Sequence, residues 1–295
     1  MKVLGIDIGG TSIKAGLVDE SGHVTQFIEF DTEAAKGGPY VLDNVIAKVK
    51  ESFTSFDAIG VSTLGQVDLE GGFLAQNASN IPNTKDLPIK AKLEEVFQVP
   101  VTVENDVNAA ALGESAFGIG KDYDDILYLT YGTGIGGAIV IDSNLYYGKS
   151  GFAGEFGHMP THAFGRPCGC GQKGCYEKYA ATTALVAAAK EVDPKYENGR
   201  LIFAAYHEGE ETIIELVHGW IKEIAVGLVT LIHSFNPSTI VLGGGVMEQD
   251  FLVEKIEKTV NDFILESFRH VHIISATLGN KAGLLGAASK HFNRK

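Results

Sequence analysis

All three cysteines of this 295-residue chain fall within eight positions, Cys168-Gly-Cys170-Gly-Gln-Lys-Gly-Cys175, and His158 lies ten residues ahead of them. Three thiolates and one imidazole form a closed tetrahedral set for zinc, so the metal implied is structural rather than Lewis-acidic. Three unrelated buried thiols and a surface histidine would leave the clustering without a cause. Metal binding, worth roughly 10 kcal/mol in small zinc modules, can order a loop that has little apolar content of its own. Glu155 and Glu177 flank the cluster. A loop fixed by metal holds both carboxylates rigidly, where they can accept hydrogen bonds from the hydroxyls of a neutral polyol. Alternatively, Glu177 starts the following helix, where its charge suits the macrodipole.

A second acidic candidate is Asp106, in Glu104-Asn105-Asp106-Val107-Asn108, where a strand run gives way to an alanine-rich helix. Asn and Asp are favoured N-caps, which would explain the segment structurally. Taken with the glycine turns described next, Asp106 reads as a general base: an ordinary Asp, with pKa about 3.9, is ionised at neutral pH and can accept a hydroxyl proton.

The glycine turns are Asp7-Ile-Gly9-Gly10-Thr11 and Tyr131-Gly132-Thr133-Gly134-Ile-Gly136-Gly137, each between two β-type runs. Such a turn brings several backbone N–H groups close to an anion. Two of them, each opening an α/β segment, suggest a duplicated fold that closes on a nucleotide's phosphate chain. Gly132-x-Gly134-x-x-Gly137 also satisfies the dinucleotide fingerprint, but a strand pattern, Ala138-Ile-Val-Ile, follows where that motif needs a helix. A third glycine run, Gly243-Gly244-Gly245 after Thr239-Ile-Val-Leu, can admit a planar base or ribose, or be a plain turn.

The elements that must position these groups alternate. Three strands, a helix at 40–53, a strand at 58–62, a helix at 87–97, a strand at 101–104 and a helix at 108–117 form the first set. Strands over 126–147, helices at 177–192, 199–207 and 211–234, a strand at 239–242, a helix at 250–267, a strand at 271–275 and a last helix from 282 form the second. The spacing predicts an α/β protein with parallel sheets covered by helices. The expected boundary puts 1–118 in one domain and 119–282 in another carrying the loop 149–176, with 283–295 packing back on the first. A hydrophobic fraction of 45% suits two packed cores, and a net charge of -13 disfavours a nucleic-acid surface. The longest apolar run, Ile224 to Ile232, is too short to span a bilayer, and no signal-type segment is visible, so a soluble cytoplasmic protein is expected.

Together these motifs resemble the ROK family of sugar kinases, in the actin–hexokinase–Hsp70 superfamily, over essentially the whole chain. The resemblance implies two ribonuclease H-like (actin-like ATPase) domains with an interdomain cleft and a zinc-bound loop. It implies phosphate contacts at Asp7, Gly9, Gly10, Thr11 and Lys14, and at Gly132, Thr133, Gly134 and Gly136, with adenosine at Gly243, Gly244 and Gly245. Asp106 falls on the catalytic base. Sugar contacts fall on Gly65, Asn80, Asn105, Asp106, Glu155, His158 and Glu177, zinc on His158, Cys168, Cys170 and Cys175, and Mg²⁺ on Asp7 through water. The implied reaction moves the γ-phosphoryl group of ATP to a hexose hydroxyl, the 6-OH, in a homodimer. Many family glucokinases carry a proline where Ser62-Thr-Leu64-Gly65 has Leu64. Ser-Thr-x-Gly looks more like the branch containing N-acetylmannosamine kinases, so glucose and N-acetylmannosamine are both candidate acceptors, with fructose, other hexoses or β-glucosides as alternatives. The family also contains sugar-sensing regulators with a helix-turn-helix ahead of the first phosphate motif. Here six residues precede Asp7, and an enzyme without nucleic-acid or membrane partners is the expectation.

Overall fold

The computed structural model describes residues 1–68, 73–74 and 80–292. Its chain forms two compact units. One comprises Met1–Asp122, Leu145–Ala153 and Asn280–Lys295, and the other Tyr123–Asn144 and Gly154–Gly279.

The first unit starts with β1 (Val3–Ile8), β2 (Ser12–Val18) and β3 (Val24–Asp31), followed by α1 (Gly38–Ser52), β4 (Ala58–Thr63) and a small ribbon of β5 (Val67–Asp68) and β6 (Phe73–Leu74). Then come α2 (Ile89–Phe97), β7 (Val101–Asn105) and α3 (Asp106–Phe117). The sheet order is β3-β2-β1-β4-β7, antiparallel among the first three strands and parallel from β1 to β7. All of β4 is buried, as expected for a central strand covered on both faces. The helical spacing of Val41, Val45 and Val49 turns one side of α1 onto this core.

The second unit repeats the theme with β8 (Ile126–Tyr131), β9 (Ile135–Ile141), β10 (Asn144–Leu145), α4 (Glu177–Ala180), α5 (Thr182–Val192), α6 (Gly199–His207), α7 (Glu211–Phe235), β11 (Thr239–Gly243), α8 (Asp250–Phe263) and β12 (His272–Ser275). Its order, β10-β9-β8-β11-β12, matches the first sheet strand for strand. Among the described residues, no helix is long and apolar enough to cross a membrane.

The last helix, α9 (Ala282–Ser289), is buried along most of its length and packs on α3, β1 and β4. A Cβ at Gly286 would lie 1.6 Å from the Ala109 carbonyl oxygen, so only glycine lets the two helix backbones meet.

The largest differences from the sequence reading are three. The helix expected over 177–192 is broken at Ala181, which is extended (ψ 159°). The Trp220 indole N–H donates to the carbonyls of Ala180 and Ala181 at 2.9 and 3.3 Å, while the Ala181 carbonyl also opens α5 by accepting from the N–H groups of Ala184 and Leu185. The helix from 250 stops at Phe263, because Ile264 is extended, and a short 3₁₀ turn covers Glu266–Phe268. Leu145–Ala153, read with the second domain, groups with the first unit, where the Tyr147 hydroxyl reaches Glu104.

Candidate active site

In the first unit, the register of the sheet assembles an acidic site. Asp7 on β1 pairs with Lys14 across the antiparallel β2 and with Ser62 across the parallel β4. The Ser62 hydroxyl donates to Asp7 Oδ1 at 2.7 Å, and Lys14 Nζ lies 4.0 Å from Oδ2. The turn between β1 and β2 is tight. Gly9 N–H donates to Ser12 O, the Thr32 hydroxyl donates to Gly9 O at 2.7 Å, and Thr32 N–H donates to Thr11 O. Leu64 and Asn80 lie beside Gly10, close to where a Cβ would stand.

Asp106 is the first residue of α3. Asn105 caps that helix, its Oδ1 accepting from the N–H groups of Val107 and Asn108. The Asn105 amide nitrogen donates to Gly65 O at 3.0 Å and to Asp106 Oδ1 at 2.8 Å. The helix-cap reading of this segment therefore holds for Asn105. In this structure its side chain is committed to orienting Asp106 and the Gly65 loop, rather than open to a sugar hydroxyl.

Burial pushes the Asp106 carboxyl up to about 6, and the nearby charge of Asp7 adds to the rise, against lowering hydrogen bonds from Val107 N–H, its own N–H and Asn105. Asp7 is also raised, by burial, with Ser62 and Lys14 opposing. Two desolvated carboxyls, the charge of Asp7 raising Asp106, suit a proton acceptor beside a cation-binding position.

The second unit holds the other glycine turn. Gly132 N–H donates to Gly134 O at 3.0 Å, Thr182 N–H to Gly132 O at 3.0 Å, and the Thr183 hydroxyl to Thr133 O at 2.7 Å. The break at Ala181 thus lays the start of α5 against the turn. A pocket of about 590 Å³ opens there, lined by Gly132, Thr133, Thr183, Lys190, Asn198 and Gly245 among others. Of the three expected adenosine glycines, Gly245 lines this pocket. Gly243 instead lies against the Tyr128 hydroxyl and Gly244 against the Tyr131 backbone, where they serve close packing. Gly136 pairs with Thr130 inside the β8–β9 ladder, and Gly134 lies against the Glu177 carboxylate.

The ligand atoms of His158, Cys168, Cys170 and Cys175 all lie within 4.8 Å of one another. The Cys168 and Cys175 side chains are buried and Cys170 is exposed. His158 turns Nδ1 toward the group, 3.8 Å from Cys168 Sγ. The donor set and its compactness fit a tetrahedral zinc ion. Glu177 adjoins it: Oε1 accepts from Cys168 Sγ at 3.1 Å and lies 3.9 Å from His158 Nδ1. Glu155 immediately precedes the 3₁₀ turn Phe156–His158. Two neighbouring tyrosines brace this loop. The Tyr131 and Tyr176 hydroxyls are 2.8 Å apart, and Tyr176 donates to Ile224 O.

Sequence reasoning missed Thr182 and Thr183, although two hydroxyl residues opening a helix are a readable signal. It also missed Thr32 and Lys290, which no local pattern marks.

The description of the ROK family matches residues 3–291. The chain belongs to the ROK family. A glucokinase of Streptomyces coelicolor is 34% identical, with 97% of this chain and 96% of the relative aligned. Among solved structures, a ROK glucokinase from Streptomyces griseus in complex with glucose and AMPPNP superposes with a TM-score of 0.84 at 34% identity, covering 98% of this chain and 99% of that one. A ROK hexokinase from Thermus thermophilus gives 0.85 at 34% identity, covering 98% and 97%. The paired five-stranded sheets are those of the actin-like ATPase fold of ROK proteins.

Proposed function

We propose that this chain is an ATP-dependent sugar kinase acting on a hexose hydroxyl, the 6-OH, with glucose or N-acetylmannosamine as acceptor. The observation that carries the reading is Asp106: a half-buried carboxyl at the start of α3, raised to about 6 and oriented by Asn105. Its membership in a family with glucokinase relatives supports the same class of reaction. At neutral pH Asp106 is ionised and takes the proton of the attacking hydroxyl as that oxygen bonds to phosphorus and the nucleoside diphosphate departs. The glycine turns supply N–H groups to phosphate oxygens. The pocket beside α5 takes the adenosine. Glu155, His158 and Glu177 supply acceptors for sugar hydroxyls.

Asp7 would hold Mg²⁺ through water, and the ion would offset charge on the phosphate oxygens. Raised carboxyls at both Asp7 and Asp106 fit a nearby cation. Zinc on His158 and the three cysteines would be structural, fixing the loop that carries Glu155 and Glu177.

The test is ADP release by zinc- and magnesium-loaded protein across glucose, N-acetylmannosamine, N-acetylglucosamine, mannose, fructose and a β-glucoside. Glucose or N-acetylmannosamine should lead. A clear preference for another sugar reassigns the acceptor, and silence on all of them removes the kinase reading.

A further inference from the structure

We propose that Glu104 is a positioning residue for Asp106, held by Tyr147 and by Lys290 just beyond α9, so that the C-terminal segment sets the geometry of the first turn of α3. The catalytic consequence rests on the kinase reading. The placement itself does not.

Glu104 is buried, with its side chain 1% exposed, yet it is an acidic residue in the interior of the first unit. It accepts hydrogen bonds from four donors. Oε1 takes the Asn105 N–H and the Asn108 side-chain amide, both at 3.1 Å. Oε2 takes the Tyr147 hydroxyl at 2.7 Å and Lys290 Nζ at 2.6 Å. Lys290 also donates to the Tyr147 oxygen at 3.2 Å, which closes a three-membered ring. Burial and then the charge of Glu104 keep the Tyr147 phenol well above its ordinary value, so it remains a donor.

These donors come from three stretches far apart in sequence: the start of α3, the Leu145–Ala153 segment and the residue after α9. All three belong to one compact unit. The ring reaches Asp106 through two neighbours. Asn105 gives its N–H to Glu104 while its side chain holds Asp106 Oδ1. Asn108 gives its side chain to Glu104 and its N–H to Asn105 Oδ1. The cap that aims Asp106 is thus itself tied to Glu104.

A buried ion pair is seldom more stabilising than apolar side chains of the same volume, and its usual distinction is a defined geometry together with a heavy penalty when one partner is lost. The carboxylate needs a cation, and among the described residues the one paired with it is Lys290, at the end of α9. Misplacing a catalytic group by about 1 Å can cost about a hundredfold in rate, which gives such an anchor a function.

The experiment uses the full chain and three variants: Tyr147→Phe, Lys290→Met, and Glu104→Gln combined with Lys290→Met. Each is followed by amide hydrogen exchange and by steady-state kinetics. The amides of Val107 and Asn108 should exchange about tenfold faster or more in every variant, with distant amides of the same unit unchanged. kcat should fall by about tenfold to a hundredfold in Lys290→Met, while KM for ATP stays within about twofold. The double variant, which leaves no unpaired charge, should recover thermal stability but not kcat. Unchanged exchange at Val107 and Asn108, a rise spread evenly over the unit, or wild-type kcat in the double variant overturns the proposal. If the unaltered protein phosphorylates no sugar, the kinase reading fails, and exchange at those two amides alone decides the positioning claim.

Discussion

Asp106 combines two properties that pull in opposite directions. Its carboxyl, raised to about 6 by burial and by Asp7, makes a better proton acceptor than an ordinary aspartate but a poorer contributor to folding. Under the proposed reaction, Asp106→Asn should lower kcat by about 10²–10⁴ with little change in sugar affinity, measured by steady-state assay and calorimetric titration. The rate should also decline as the pH falls through about 6, since only the ionised carboxylate accepts the proton. The stability effect has the opposite sense. The folded pKa lies above the unfolded one, so the folded state holds an extra proton between about pH 4 and 6 and loses stability as the pH rises across that window. At pH 7 the full cost is present, on the order of 3 kcal/mol. Asp106→Asn should therefore unfold at higher urea concentration than the unaltered chain at pH 7, with the difference vanishing near pH 4. Equal urea midpoints at pH 7 would show that the carboxyl is not strained by its surroundings.

At the scale of elements, local chemistry was readable and pairing was not. The strand and helix order, the glycine turns and the Cys-His group follow from residue type and spacing, because turns, caps and metal ligands are short-range devices. Asp7 meeting Ser62, or Glu104 meeting Lys290, depends on sheet register and on where α9 lands, and 186 residues separate the latter pair. The break at Ala181 escaped for a similar reason: no helix-breaking residue lies nearby, and the Trp220 indole that meets the Ala180 and Ala181 carbonyls stands 40 and 39 residues further along the chain.

Two element-level tests follow from close contacts. Gly286→Ala places a methyl group 1.6 Å from the Ala109 carbonyl and must pry α9 from α3. A loss of about 1–3 kcal/mol or more in denaturant unfolding is expected, as for other overpacked sites. Cys170→Ser removes one of the four residues proposed to hold zinc on the loop that carries Glu155 and Glu177. In the proposed kinase it should raise KM for the sugar several-fold more than KM for ATP, alongside loss of bound zinc measured by atomic absorption. Equal changes in both constants would indicate general unfolding instead.

For the molecule as a whole, each compact unit has its own sheet and core. Calorimetry should resolve more than one transition, because cooperativity is a property of a single packed core. His158, Cys168, Cys170 and Cys175, the group proposed to hold zinc, lie entirely in the second unit. A chelator should therefore lower one transition and leave the other in place, whereas a uniform shift of the whole endotherm would mean that metal binding and both cores unfold together.

The segment Asn280–Lys295 belongs to the first unit, although the chain has by then traversed the second. During synthesis, then, β1, β4 and α3 emerge long before the α9 that covers them. While α9 is still inside the ribosomal tunnel, the faces of β1, β4 and α3 that it covers are open to water and to other nascent chains. The usual order, in which an N-terminal domain finishes before its successor begins, is reversed here. Chaperone engagement should therefore persist until α9 has emerged.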